Sequence, residues 1–240
     1  MTYKTNGVIL REVNTKDSDK MLTVLTPDLG KIRVSAKHIR NSKKNSGAAF
    51  LNFSEFELAK GNDIYFLRNS AVIESFYELS EDIKALALAT YLAQLASEVV
   101  PEGVECADTL SLLLNTYYVL SKKKYDLMTA KLIFEIKLLD MQGMLPDFSG
   151  CYNCGNTGDL LYFDVLNGTV NCGNCKSSGV ELNCSCLSVI NYVTSSSVKK
   201  IFSFSASCEI IKFLSEIFEK YTCIQLGRTL KSLDYYNSIL

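Results

Sequence analysis

The feature that most restricts how this chain can fold is a set of four cysteines arranged as two Cys-x-x-Cys pairs. Cys151 and Cys154 form the first pair, Cys172 and Cys175 form the second, and seventeen residues separate the two pairs. This spacing is typical of four-cysteine zinc sites, in which each pair turns two thiolates toward one ion. The chain must therefore reverse its direction between the pairs so that the four sulfurs can meet.

The segment between the pairs supplies that reversal. Residues 160–164 are strand-like, Asn167-Gly168 is the strongest short signal for a β-hairpin turn, and residues 169–170 resume the strand. Four thiolates complete a tetrahedron and leave no open position for a reacting water. We therefore expect one structural zinc ion per chain. Redox-active or merely buried cysteines are the alternative, but a thioredoxin-type motif needs only one pair beside a βαβ unit.

The other five of the nine cysteines receive different interpretations. Because no apolar signal region precedes them, metal ligation is favoured over disulfides, which need an oxidising compartment. Cys184 and Cys186 lie close enough in sequence to replace a zinc ligand, although we expect them to be packing residues just before a helix. Cys106, Cys208 and Cys223 fall in helical patterns and are predicted to be small core residues.

The first third of the chain alternates polar and apolar side chains in short runs. The five runs are residues 5–11, 20–26, 31–36, 51–60 and 64–76. Pro27 and Gly30 mark a tight turn, because proline presets its own φ and glycine accepts a positive one. Five strands within about 75 residues predict a small closed barrel.

The pattern changes to helical spacing at Ser80. Helices are predicted to begin at Ser80, Asp108 and Asp126, since serine and aspartate accept hydrogen bonds from free N–H groups at a helix start. Two more are predicted over residues 186–200 and 206–226. The predicted fold class is therefore α+β, with three domains. They are a basic barrel (1–77), a helical domain (78–150 and 183–240) and an inserted zinc-binding hairpin (151–182).

Charge is distributed unevenly along the chain. Residues 1–77 carry 12 Lys and Arg against 8 Asp and Glu, whereas residues 78–240 carry 13 against 18. The basic excess is concentrated in a stretch without acids, whose members are Lys31, Arg33, Lys37, Arg40, Lys43 and Lys44. On a barrel strand and its following loop, these side chains are predicted to contact nucleic-acid phosphates, and a solvated loop is the alternative.

Membrane insertion and catalysis both lack a signal. Hydrophobic residues make up 48% of the chain, but Glu135 and Lys137 interrupt its apolar run at 132–139, far short of the roughly 20 residues of a membrane span. A soluble protein is expected. The only histidine, His38, has no carboxylate or cysteine at a catalytic spacing. Phosphate-binding glycine loops are absent from the sequence, so an enzyme is not expected.

Several segments, taken in their order and spacing, resemble the RecO recombination mediator family over essentially the whole chain. The matching segments are residues 7–10, 19–26, 30–32, 36–37 and 53–58 with Gly61, the two cysteine pairs, and residues 229–233 (Thr-Leu-Lys-Ser-Leu). One departure is His38, at a position where the family usually carries glycine.

The resemblance implies an N-terminal OB-fold barrel, a helical domain and an inserted four-cysteine zinc element. It also implies a non-enzymatic role in bacterial DNA repair, in the cytoplasm and associated with the nucleoid. RecO-like proteins bind single- and double-stranded DNA and anneal complementary strands. With RecR they help place RecA on strands coated by single-strand-binding protein (SSB), whose C-terminal tail is an expected partner.

Two other function classes compete with this interpretation. A zinc-ribbon nucleic-acid adapter without a recombination role would explain the barrel, the basic stretch and the cysteines equally well. A zinc deaminase would need a histidine or cysteine followed two residues later by glutamate, and a Pro-Cys-x-x-Cys motif. His38 lacks that glutamate and Gly150 precedes Cys151, so the deaminase class is not favoured.

Overall fold

The computed structural model describes residues 2–15, 19–37, 39, 47–158, 160–176 and 178–240. The chain forms two compact units: Met1–Lys124 with Leu230–Leu240, and Tyr125–Thr229. Over the described residues, the first unit contains a five-stranded barrel and three α-helices, and the second contains a three-stranded sheet and three α-helices. The predicted α+β class is confirmed, and the predicted three-part division into functional domains stays a prediction.

Five strands close into the barrel of the first unit. They are β1 (Thr2–Asn14), β2 (Lys20–Thr26), β3 (Gly30–Ala36), β4 (Asn52–Lys60) and β5 (Tyr65–Ser75). Their order around the barrel is β1-β2-β3-β5-β4, and β4 pairs with β1 to complete the ring. Only the β3–β5 pairing is parallel among the described strands. This five-stranded closed barrel confirms the OB-fold expectation.

Alternation along the strands fills the barrel with apolar side chains. The core includes Ile9, Leu22, Val24, Ile32, Val34, Phe56 and Leu58. The turn between β2 and β3 depends on Gly30, whose φ is +68° and whose Cα faces the backbone of Val104. A side chain at this position would meet the Val104 carbonyl oxygen at 2.2 Å, so glycine is required for packing as well as for the turn.

Three α-helices and a 3₁₀ helix complete the first unit. The helices are the 3₁₀ helix Tyr77–Glu81, α1 (Ile83–Val99), α2 (Ala107–Ser121) and, after the second unit, α6 (Lys231–Ser238). The predicted start of α1 at Ser80 is wrong by two residues, because Asp82 is the capping residue. The Ser80 hydroxyl donates to the Tyr77 carbonyl, and Asp82 caps α1 by accepting from the N–H groups of Lys84 and Ala85. Helix α6 packs on α1 and was not predicted, because eight residues give a weak periodic signal.

The second unit places a small sheet among its helices. The elements are α3 (Leu127–Met141), β6 (Leu161–Asp164), β7 (Thr169–Cys172), β8 (Val180–Leu182), α4 (Cys184–Ser195) and α5 (Cys208–Leu226). Strand order is β7-β6-β8, so the predicted hairpin gains a third strand of three residues. Asp126 caps α3 as predicted, through the Thr129 N–H. Helix α4 ends at Ser195, five residues before the predicted end.

Among the described residues, no helix is both long and apolar enough to cross a membrane. The charges that interrupt the apolar run of α3 nevertheless lie in the protein interior. Glu135 is 0% exposed, and the Nζ of Lys131, one helical turn earlier, lies 2.9 Å from a Glu135 carboxylate oxygen. The same Nζ lies 2.8 Å from a carboxylate oxygen of Glu219 on α5.

This buried ionic cluster joins α3 to α5. Burial opposes the positive charge of Lys131, but the charges of Glu135 and Glu219 outweigh it, so the pKa of Lys131 is raised above its ordinary value. Each charged group therefore depends on the others, because the desolvation free energy of a buried charge is not offset when its partner is absent.

Replacing Lys131 by methionine is expected to destabilise the second unit by about 3–5 kcal/mol, because the buried Glu135 carboxylate loses its countercharge. Denaturant unfolding, followed by the fluorescence of tyrosines in this unit, measures the change. The double variant K131M/E135L should recover most of the loss, whereas the exposed Lys212→Met should cost little. A K131M protein as stable as the wild type would contradict this account of the cluster.

Candidate metal centre and nucleic-acid interface

The four cysteines of the two predicted pairs come together in the second unit. The sulfur atoms of Cys151, Cys154, Cys172 and Cys175 all lie within 4.8 Å of one another, and this group is the metal-capable cluster found among the described residues. The Cys154 and Cys172 sulfurs are 3.7 Å apart. A disulfide requires about 2.05 Å, whereas four sulfurs at about 2.3 Å from a central ion are separated by about 3.8 Å. The cluster is therefore positioned for metal binding.

Tight backbone turns aim the sulfurs inward. In the first pair, the Gly155 N–H donates to the Cys151 carbonyl at 2.8 Å. In the second, the Cys175 N–H donates to the Cys172 carbonyl at 3.1 Å, and the Lys176 N–H donates to the same carbonyl. Gly155 has a φ of +71°, which glycine adopts without strain. Strands β6 and β7 then hold the two turns side by side.

The electrostatics of the cluster favour a bound cation. The pKa of Cys151 is lowered to about 6, because backbone N–H groups, that of Cys172 first among them, donate to its sulfur. The pKa of Cys172 is lowered by the N–H groups of Cys175 and Asn174. The pKa of Cys175 is raised to about 12 by the crowded sulfurs of Cys154 and Cys172. Four thiolates can coexist here only if a positive ion offsets their repulsion.

Aromatic packing anchors the hairpin independently of the cysteines. Phe163 on β6 contacts Phe148 and Tyr221, with ring centroids 5.1 Å apart in both pairs, and Phe218 adjoins the same group. The Tyr221 hydroxyl donates to the Met144 carbonyl at 2.7 Å. The hairpin is therefore part of the core of the second unit and is not a separate appendage.

Asp164 fixes the turn of the hairpin. Its carboxylate accepts from the backbone N–H groups of Leu166 and Asn167 and from the side chains of Asn167 and Ser178. The Asn167 and Ser178 side chains are the main reason that the pKa of Asp164 lies below its ordinary value. The predicted Asn167-Gly168 turn is confirmed, and Gly168 has a φ of +64°.

The remaining cysteines only partly follow the predictions. Cys184 and Cys186 lie inside α4 rather than before it, and Cys186 is buried while Cys184 is exposed. Neither belongs to the metal-capable group of the described residues. The prediction that Cys208 is a core residue is wrong, because Cys208 is exposed at the start of α5. Cys106 precedes α2 and its thiol donates to the Thr26 carbonyl, while Cys223 is half-buried in α5.

The outer face of β1, β2 and β3 carries rows of paired residues that cross the three strands. One row is Val8, Leu25 and Lys31; the next is Arg11, Thr23 and Arg33; the third is Val13, Met21 and Ser35. A β-bulge at Leu10 shifts the register of β1 between the first and second rows. Directly paired residues share a face of the sheet, so Arg11 and Arg33 flank Thr23 on the same side.

Lys31 and Arg33 therefore occupy different surroundings. In the first row Val8 and Leu25 are fully buried, because α1 covers this end of β1. The Lys31 ammonium donates to the Ser97 carbonyl in the last turn of α1, where the helix dipole favours a cation. Arg33 and Lys37 are exposed. Sequence alternation placed Lys31 and Arg33 on one face, but only the fold shows that a helix covers one of them.

Arg11 is the residue of this face that the sequence analysis missed. It is exposed in β1 and lies across Thr23 from Arg33, although 22 positions separate the two arginines in sequence. The bulge at Leu10 interrupts the alternation of β1, so alternation in the sequence does not place Arg11 on this face. Only the strand register shows that it lies there. Of the other predicted phosphate contacts, Arg40, Lys43 and Lys44 lie outside the described residues.

Two features define the class of protein: an OB-fold barrel with an exposed basic row, and a helical part that contains a four-cysteine metal-capable hairpin. Family models give the particular assignment. The model described as "Recombination protein O N terminal" matches residues 1–76, and "Recombination protein O C terminal" matches residues 80–234. The chain belongs to the RecO family of DNA repair proteins, and the predicted resemblance is confirmed.

Individual relatives carry the same family name and align with most or all of this chain. A protein named "DNA repair protein RecO" from Acetivibrio thermocellus is 31% identical, with 100% of this chain and 98% of the relative covered. One of the same name from Caldicellulosiruptor bescii is 33% identical, with 98% of each chain covered. Another from Dehalococcoides mccartyi is 31% identical over 88% of this chain and 86% of the relative.

Proposed function

We propose that this protein is a non-enzymatic recombination mediator in DNA repair. It binds single- and double-stranded DNA, anneals complementary strands, and with RecR helps load RecA onto SSB-coated single strands. The observation that carries the proposal is the exposed arginine row on the barrel of a chain that belongs to the RecO family. A zinc-ribbon adapter without a recombination role is the second candidate, because the four-cysteine hairpin suits both.

Phosphate binding by the barrel follows from charge and geometry. Arg11 and Arg33 present two guanidinium groups on one open surface, and Lys37 extends that surface at the end of β3. Arg40, Lys43 and Lys44 continue the basic sequence. Because the Lys31 ammonium is held by Ser97, its charge would strengthen the local field without touching phosphate. Val13 and Met21 add apolar surface beside the cations, which suits bases of any sequence.

The double variant R11A/R33A is expected to weaken binding to unrelated single strands to a similar extent, because phosphate contacts carry no sequence information. Each lost contact should lower the salt slope of log K by about 0.7. Fluorescence anisotropy over a salt series measures both quantities. Lys4→Gln is the matched control, since Lys4 pairs with Glu57 on another part of the barrel. An unchanged affinity and salt slope in R11A/R33A would show that DNA binds at another site.

The metal is proposed to be one structural Zn²⁺ held by Cys151, Cys154, Cys172 and Cys175. Zinc has no geometric preference that opposes a tetrahedron of sulfurs, and thiolates are its usual structural ligands. Once bound, it supplies charge compensation and a cross-link between the two turns. Because four protein ligands fill its coordination sphere, no position is left for a substrate, in keeping with a role without catalysis.

Purified protein is expected to contain one zinc per chain, and Cys151→Ser or Cys175→Ser should abolish it. Since Phe163 anchors the hairpin, metal loss should expose the amides of the two cysteine turns while those of α5 stay protected. Elemental analysis and hydrogen exchange measure these outcomes. The exposed Cys208→Ser is the control and should keep its zinc. Zinc-free native protein, or full loss of α5 protection in the serine variants, would contradict this structural role.

A surface in the second unit is the proposed binding place for the SSB tail that the family expectation calls for. A cavity of about 420 Å³ lies beside α5 and the hairpin sheet, with Leu166, Phe213 and Ile217 among its apolar lining. Lys220 also lines it and supplies a positive charge, although the carboxylates of Asp164 and Glu216 line it too. Phe213 and Leu166 remain 38% and 70% exposed, so they are open to a partner.

The mediator role is tested by annealing complementary strands that are precoated with the SSB of the same organism. Removing the SSB tail should abolish acceleration on coated strands and spare it on naked ones. Phe213→Ser should raise the Kd for the tail peptide at least about tenfold, as expected for an anchoring aromatic residue. Tyr152→Ser, at an exposed aromatic outside the cavity, is the control. If naked strands anneal no faster with the protein than without it, the adapter becomes the better account.

A further inference from the structure

Three helices of this chain end in the same hydrogen-bonded cap. Just beyond the ends of α2, α3 and α5, the residues Lys123, Gly143 and Gly227 each donate their N–H to the carbonyl three residues earlier. The next residue donates to the carbonyl five residues earlier. This Schellman arrangement places the first of these residues in the left-handed region, where glycine is strongly favoured. Helices α3 and α5 follow the rule with Gly143 and Gly227, both at a φ of +66°.

Helix α2 breaks the rule with a lysine. Lys123 occupies the same position at a φ of +49°, its N–H donates to Leu120, and the Lys124 N–H donates to Val119. A side chain there brings Cβ too close to the neighbouring carbonyl, so a non-glycine residue in this conformation is strained. The two other caps show that this fold accommodates glycine at the equivalent position. The strain at Lys123 therefore indicates a use for its side chain.

Lys123 is the middle member of three consecutive exposed lysines, Lys122, Lys123 and Lys124. The Lys122 ammonium lies 3.3 Å from a carboxylate oxygen of Glu78, and the Lys124 ammonium lies 4.7 Å from the centroid of the Tyr118 ring. Among the described residues, Glu78 is the acid within ion-pair distance of these lysines, so most of their charge is uncompensated by the protein.

Stabilisation of the helix end does not explain the whole cluster. A cation in the last turn does interact favourably with the helix dipole. Lys122 and Lys124 would provide that interaction with glycine at position 123, and α3 and α5 end without such a cluster. Three like charges in one turn also repel each other. Repulsion and strain together are compensated if a polyanion binds at this end of α2.

We propose that Lys122, Lys123 and Lys124, beside Tyr118, form a second phosphate-binding surface for nucleic acid. Phosphate recognition needs exposed positive charge and no pocket. An acidic peptide would also need apolar surface for an anchor, but Val119 and Leu120 are buried and Lys124 covers the exposed Tyr118 ring. The surface belongs to the same compact unit as the barrel.

Two phosphate-binding surfaces on one unit allow the protein to hold two strands, or two segments of one strand, at once. Cations at both surfaces reduce the repulsion between the phosphate chains as they approach. The inference rests on the proposed function for the nature of the ligand, but its residues are separate from the arginine row. Variants of the arginine row and variants of the three lysines therefore test the proposed function and this inference separately.

The test uses the full-length protein with a 20-base-pair duplex and a single strand, in anisotropy titrations over a salt series. Lys123→Gly is expected to raise Tm by about 2–4 °C, because it relieves the strained cap. It should at the same time lower the salt slope for duplex by about 0.9, the contribution of one phosphate. Lys123→Arg keeps the charge and should keep the binding. Replacing all three lysines by glutamine should lower the slope further and slow annealing.

Lys60→Gln, which removes one exposed charge from β4, is the matched control and should bind as the wild type does. The proposal is overturned if Lys123→Gly and the triple variant bind both DNAs with unchanged affinity and salt slope. It is also overturned if Tm falls in Lys123→Gly, since the side chain would then be holding the helix end. The proposal is also overturned if the triple variant no longer binds a glutamate decamer that the wild type binds, yet still binds DNA. That result would identify a peptide-binding surface.

Discussion

The strand β1 makes the first unit possible, because its 13 residues pair with β2 along one edge and with β4 along the other. Without that double pairing the barrel would have two open edges, and its row of exposed N–H and C=O groups would need another cover. The bulge at Leu10 shifts the register of β1 against β2, while the pairing of β1 with β4 stays regular. It also places Arg11 opposite Thr23 on the outer face, which completes the basic row of the barrel.

A different constraint governs the second unit, where the four metal-capable cysteines lie in or beside short turns that need support from neighbouring elements. The sulfurs are brought together by β6 and β7, and these strands are fixed by Phe163 among Phe148, Phe218 and Tyr221. Helix α5, which carries two of those rings, is joined to α3 by the buried Lys131, which pairs with Glu135 and Glu219. The metal-capable cysteines therefore adjoin a core that aromatic packing and ion pairing hold together.

Much of this could be predicted from local sequence. The five barrel strands, the cap of α3 by Asp126, the Asn167-Gly168 turn and the four metal-capable cysteines depend on residues close in the chain, whose spacing carries the signal. Errors came where neighbouring elements compete for the same residues. Ser80 looks like a helix cap, but its hydroxyl donates to Tyr77 within the 3₁₀ helix, and Asp82 caps α1 instead. Cys208 fits a helical apolar pattern, yet it lies at an exposed helix start.

The sequence by itself determined which residue types could bind a cation or a phosphate, and the order of the elements that carry them, because cysteine spacing, strand alternation and turn chemistry are local. Only the tertiary structure decided which of those residues share a surface. It covered Lys31 with α1 and left Arg33 open, it paired Arg11 with Arg33 through Thr23, and it buried the charges of α3 that interrupt an apolar run. The physical reason is that exposure and charge pairing depend on neighbours brought together by strand register and helix packing, which no short stretch of sequence contains.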